Sequence, residues 1–155
     1  MLPFFEILAG QFHELHGEIE RDLDALSADA LDWVPGPEMN SISVIIVHLT
    51  GSERFLVGDV IMQDPSSRDR EAEFHVAGMS KADLVQRLNT TEAYLNSAFE
   101  KLSPSDLETK RIHPRHGDQV SVAWALLHAL EHSGTHVGQI QMTVQMWHQR
   151  SVGEG

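Results

Sequence analysis

Residues 126–140 read LLHALEHSGTHVGQI. Two patterns run through this stretch. The first is a seam: Leu126, Leu130, Ser133, Val137 and Ile140, continued by Val144 and Trp147, recur in alternating steps of four and three. That period places them in one stripe and predicts a long amphipathic helix over roughly 120–148. The second is polar: His128, His132 and His136 sit four residues apart, stacked on one side of the same helix. A helix with a near-heptad seam needs partners to bury it, and imidazoles beside the seam need an acceptor, a metal or water.

Three further stretches carry the same period. Phe5, Leu8, Phe12, Leu15, Ile19, Leu23 and Leu26 predict a helix over roughly 3–27, with Pro3 in its first turn. Val44, Ile45, His48, Leu49, Ser52, Phe55 and Leu56 share a broad face of a helix over roughly 41–62, capped by Asn40 or Ser41. Leu84, Leu88, Thr91, Leu95, Ala98 and Leu102 mark a helix over roughly 80–102, which Ser80-Lys81-Ala82-Asp83 opens as a capping box and Ser103-Pro104 ends. Strand signals are weak. Residues 28–40, 63–79 and 103–119 read as irregular connections, and the second is long enough to run from one end of the molecule toward the other. The expected fold is all-α: a four-helix bundle, one domain over 1–155, with a long connection between helices two and three.

Composition narrows the function. The chain has 155 residues, 41% of them apolar and 22% charged, and a net charge of −12 from 23 acidic and 11 basic residues. Nucleic acid and anionic membranes both require a basic footprint, so neither is an expected partner. No apolar run is long enough to cross a membrane. The opening MLPFFEILAGQFHELHGEIE lacks the basic start and small-residue cleavage site of a signal peptide, so a cytoplasmic protein is expected. Cysteine is absent, which removes disulfides, zinc–thiolate sites and a cysteine nucleophile.

Histidine is abundant, at ten residues. Composition alone gives about 0.6 of a His pair spaced i,i+4, so the spacing by itself decides little. Position says more. His132 and His136 flank the seam of the last helix, where two crowded imidazoles would repel if charged and lose solvation if neutral; a divalent cation resolves both problems. His48 shares the apolar face of helix two and should point inward, as a hydrogen-bonded core histidine or as a third ligand. Three imidazoles from two helices would form a facial set with positions open for water and substrate. Gly51, Ser52, Ser133, Gly134 and Gly138 gather around the same places, for close helix approach or for a ligand.

IIVHLTGSERF (45–55), with Glu53 five positions after His48, and ALEHSGTHVGQIQM (129–142) together resemble the DinB/YfiT-like family of metal-binding four-helix bundles. The approach LDWVPGPEMNSISVIIVHL (31–49) is similar as well, and the likeness spans about residues 4–147. The resemblance implies a divalent ion held by one histidine of the second helix and two of the last: here His48, His132 and His136. It also implies homodimers, and activities among thiol-dependent transferases and isomerases that use mycothiol, bacillithiol or glutathione. The missing cysteine agrees with a thiol arriving as cosubstrate.

The other candidates take lesser roles. His128 is in register for an outer or alternative ligand. His13 and His16 are expected at a surface or interface, His75 and His148 at the surface, and His113 and His116 at a pocket mouth. Glu53 would orient a ligand or pair with an arginine. Glu131 is expected in solvent, and Tyr94 in the core or donating to substrate. No HExxH occurs, so a zincin protease is not supported. The leading expectation is a metal-dependent enzyme, zinc or nickel first and iron or manganese after. It would activate a low-molecular-weight thiol or water for transfer to, or hydrolysis of, a small electrophile. The alternatives are a non-catalytic metal-binding stress or regulatory homodimer, and a bundle whose histidines never meet.

Overall fold

The computed structural model describes residues 1–150. Residues 151–155, counted in the expected single domain, lie outside the described residues. Four long helices form the body: α1 (Pro3–Asp24), α3 (Ile42–Arg54, continuing as a π-helix over Phe55–Met62), α5 (Lys81–Phe99) and α6 (Val122–Gln149). Short helices α2 (Ala28–Leu31) and α4 (Arg70–Glu73) interrupt the first two connections. The starts follow from the expected chemistry. Ser41 Oγ accepts from Val44 N–H, Ser121 Oγ from Trp124 N–H, and Ser80 with Asp83 closes a reciprocal capping box.

Two apolar clusters reveal the helix directions. One joins the start of α1 (Phe5, Leu8, Phe12), the end of the second helix (Leu56–Ile61), the end of α5 (Leu95, Phe99) and the start of α6 (Val122, Leu126). The other joins the end of α1, the start of α3, the start of α5 and the end of α6. Hence α1 and α6 run one way, α3 and α5 the other. The parallel pairs α1–α6 and α3–α5 pack as neighbours, and α1–α5 and α3–α6 complete the ring antiparallel. Two parallel helices in sequence need a crossover the length of the bundle, and residues 63–80 make it. Asp32 ties that crossover to the first connection by accepting from Gly78 N–H at 2.7 Å.

The third connection departs from the expected irregular stretch. Lys110–Ile112 and Gln119–Ser121 form an antiparallel hairpin, with Arg111 opposite Val120. Strands of three residues are too short to show an alternation in sequence. Gly117, at φ +77°, closes the turn, and its N–H donates to the His113 carbonyl at 2.8 Å. The hairpin hangs over the π-helical turn of the second helix, where Arg111 Nε donates to the Ile61 carbonyl at 3.1 Å. This brings His113 and His116 over the middle of the bundle.

A candidate metal centre between helices three and six

Between the two apolar clusters lies a polar layer, and it holds a group of three histidines and, apart from it, one buried histidine. The first comprises His48 of α3 and His132 and His136 of α6. Each offers a ring nitrogen within 4.8 Å of the others. His132 and His136 lie one helical turn apart, with Nε2 atoms separated by 3.1 Å. The antiparallel packing of α3 on α6 brings the His48 ring to 5.1 Å and 5.0 Å from theirs, centre to centre. The reading of a bundle whose histidines never meet is thereby overturned.

The far nitrogens are largely committed. His48 Nδ1 lies 2.9 Å from Glu73 Oε2, and His136 Nδ1 lies 2.7 Å from Gln139 Oε1. A neutral imidazole that donates from Nδ1 presents a lone pair at Nε2, the arrangement that second partners impose on metal-binding histidines. His132 Nδ1 is buried with no protein partner. Burial, and then the neighbouring His136 and His48 rings, hold His132 down to about 3. Burial likewise lowers His136 against the opposing bond to Gln139. The donor set therefore fits a divalent cation. Two imidazole nitrogens on one tetrahedral ion at about 2.0–2.1 Å stand about 3.3 Å apart, close to the separation of the His132 and His136 nitrogens.

Glu73 belongs to the long crossover, where the sequence offered only a polar run. Asp69 caps α4 by accepting from Ala72 N–H at 3.0 Å, and this turns Glu73 inward. There Arg68 holds its carboxylate through Nε at 2.5 Å and Nη2 at 2.8 Å. Burial would raise Glu73, but the Arg68 and His48 hydrogen bonds prevail and the carboxyl sits below its ordinary range. Gly51 makes this possible, because a Cβ there would collide with the Glu73 carboxylate. Close approach is thus the reason for Gly51. It is not the reason for Gly134 or Gly138, whose Cβ positions face open space.

A cavity of about 370 Å³ opens beside the cluster, walled by His48, His132, Ser52, Phe55, Arg68, Arg70, His128 and the hairpin residues His113–His116. His113 and His116 stack at 4.6 Å, at the mouth where they were expected. Burial, and then His116, push His113 down. His128 stacks on Trp124 at 4.8 Å and is absent from the cluster. Glu131 is solvated, 3.4 Å from His128. Tyr94 lies on the other side of α3 and donates to Asp64 at 2.8 Å.

The single buried histidine and its carboxylate partner correct two expectations. His16 is buried, at 1% exposure, rather than at a surface. Its Nε2 lies 3.0 Å from Glu53, which orients neither a clustered histidine nor an arginine. Glu53, fully buried, also accepts from Ser133 Oγ at 2.7 Å, so α1, α3 and α6 meet on one carboxylate. Burial alone would lower His16, but the bond to Glu53 outweighs it and the ring is raised. The signal was present in sequence: Phe12, His16, Ile19 and Leu23 step four, three, four, so His16 lies on the seam and Leu15 beside it. His13 is exposed and pairs with Glu92, and His75 and His148 are exposed.

Comparison with known proteins agrees with this fold. A conserved protein from Enterococcus faecalis superposes with a TM-score of 0.79 at 14% identity, over 94% of this chain and 98% of that one. YfiT from Bacillus subtilis, described as "a probable metal-dependent hydrolase with an unusual four-helix bundle topology", gives 0.73 at 14% identity over 99% and 90%. A DinB-like protein of Bacillus subtilis gives 0.68 at 17% identity over 89% of each. Comparison with curated proteins returned no match. The model of the family "Protein of unknown function (DUF1572)" matches residues 2–152. The chain therefore belongs to the DUF1572 family, built on the DinB/YfiT-like four-helix bundle.

Proposed function

We propose that this protein is a metal-dependent enzyme that activates a low-molecular-weight thiol or water for transfer to, or hydrolysis of, a small electrophile. The carrying observation is the convergence of His48, His132 and His136 beside a cavity of about 370 Å³. Those three residues would hold a divalent ion, zinc or nickel first and iron or manganese after, since imidazole suits several such metals. When bound there, the cation supplies Lewis acidity that lowers the pKa of water or of a thiol. The chain supplies the rest. Glu73 fixes the His48 tautomer and Gln139 that of His136. Phe55 and Leu56 form an apolar wall, while Arg70 offers charge to an anionic part of the substrate. His113, kept neutral by burial, is a proton acceptor in the cavity wall. The fold shared with YfiT supports the hydrolytic form of this reading.

A second copy of the chain is the proposed partner, in the cytoplasm. Leu2, Phe4 and Ile7 at the start of α1, and Trp124 and Leu127 at the start of its parallel neighbour α6, are exposed at the same end of the bundle. One observation favours the alternative of a metal-binding homodimer without turnover: among the described residues, no carboxylate lines the cavity beside the histidines to serve as a base.

The test is metal content by mass spectrometry on untagged protein, beside His48→Ala and His132→Ala. The expected result is about one ion per chain in the wild type and none in either variant. Thiol-transfer and hydrolysis assays on the loaded protein then separate the enzyme from the module. A wild type that stays empty with zinc, nickel and manganese sinks both readings.

A further inference from the structure

The opposite side of α3 looks onto a second cavity, of about 670 Å³, enclosed by α3, α5 and the long crossover. Three arginines line it. Arg54 is answered by Asp64 at 2.9 Å, and Arg68 by Glu73. Arg87 has no such answer: among the described residues no carboxylate lies within 4.0 Å of it. Its Nε donates to Thr50 Oγ1 at 2.7 Å, and Nη2 reaches the Val47 carbonyl at 3.5 Å. These contacts pin one side of the guanidinium against α3 and leave Nη1 without a protein acceptor. A half-buried guanidinium with one free end can still take an acceptor, in a chain that carries a net charge of −12. The acids along the same walls hold their hydrogen bonds elsewhere: Glu73 with Arg68 and His48, Asp69 at the cap of α4, Asp83 in the capping box of α5. Val47, Val76 and Met79 supply an apolar wall.

We propose that this cavity is a second small-molecule site, which binds a carboxylate-bearing compound. The carboxylate lies on the free Nη end of Arg87, and a short apolar body lies against Val47, Val76 and Met79. The planar guanidinium suits a carboxylate. The free Nη1 of Arg87 offers one charge-assisted donor, which a single carboxylate fills, and the apolar wall favours a body that inorganic phosphate lacks. The volume is that of a small-molecule site rather than of a bare ion. The inference does not depend on a metal at the histidines.

Hexanoate, hexanol and inorganic phosphate are titrated separately into the full-length protein, with binding read from the methionine methyl resonances. The Met79 methyl is expected to move with hexanoate, while Met142, on the outer face of α6, stays still. Hexanol and phosphate should bind about tenfold more weakly or worse, as should hexanoate to Arg87→Gln, and Arg87→Lys should fall between. Hexanoate binding should survive in His132→Ala. A silent Met79, equal binding of hexanol, or unchanged affinity in Arg87→Gln overturns the proposal. So does loss of binding in His132→Ala alone, which would put the carboxylate at the histidines. Should Arg87→Gln fail to fold, the wild-type Met79 response and the hexanoate–hexanol comparison still decide.

Discussion

His16 and His132 lie on neighbouring helices of one polar layer, and the chain joins their surroundings directly, since Ser133 follows His132 and hydrogen-bonds the carboxylate that holds His16. Both rings are withdrawn from water, yet they are driven in opposite directions. His16 has a carboxylate on its ring, and that bond raises it against its burial. His132 faces two other imidazoles, so burial and mutual repulsion keep it neutral. The cluster does have a carboxylate, Glu73, but it sits behind His48. A carboxylate that accepts from a lone buried ring makes a structural pair; one that accepts from Nδ1 of a clustered ring orients it and leaves the Nε2 lone pair for something else.

The strongest way to break this contrast is at Glu53. Glu53→Ala strands His16 in the interior, while the Ser133 hydroxyl keeps the Ala129 carbonyl, and should cost about 3–5 kcal/mol in urea denaturation. The protein that remains folded should still take up its ion, because Glu53 does not touch the cluster. If ion uptake collapses in folded protein, His16 and the three-histidine cluster are one unit.

Glu73→Ala is expected to do the reverse. Metal affinity should fall about 10–100-fold, by competition with a chromogenic chelator. Unchanged affinity would make Glu73 a partner of Arg68 only.

Acid sharpens the comparison without touching the fold. His132 titrates near 3 in the folded chain against an ordinary 6.5, so the unfolded chain binds more protons between these values. Metal-free protein should therefore lose stability as pH falls through that window. Taken from about pH 7 to about pH 4, metal-free His132→Ala should lose less stability than wild type. His16, raised above 6.5, contributes in full below that value and loses its contribution as pH rises through the folded value. His16→Gln should accordingly lie closest to wild type at high pH. Equal pH profiles for wild type and both variants would remove the contrast.

The smallest effect belongs to Gly51→Ala. Its methyl pushes the held Glu73 carboxylate aside without removing it, so metal affinity should drop by less than in Glu73→Ala. A larger loss would mean that α3 itself shifts.

Much of this molecule can be read along the chain, because helices write their buried face at a fixed period. The seams of α1, α3, α5 and α6, the serine caps, and a long crossover after the second helix all follow from local spacing. So does the placing of His48, His132 and His136 on inward faces, since a histidine's angular position on a helix is set by its number. Two local signals were there and outranked: His16 on the seam of α1, and a hairpin whose strands are too short to alternate. The rest required the helices to be packed. Which way α3 and α5 run, that Glu53 reaches across to α1 and α6, and that Glu73 comes in from a polar crossover to hold His48 all depend on contacts between residues 25 to 80 positions apart. No period connects such residues. Hydrogen bonds and close packing across the bundle decide whether a histidine is tied to a carboxylate or faces other imidazoles, and that choice exists only in three dimensions.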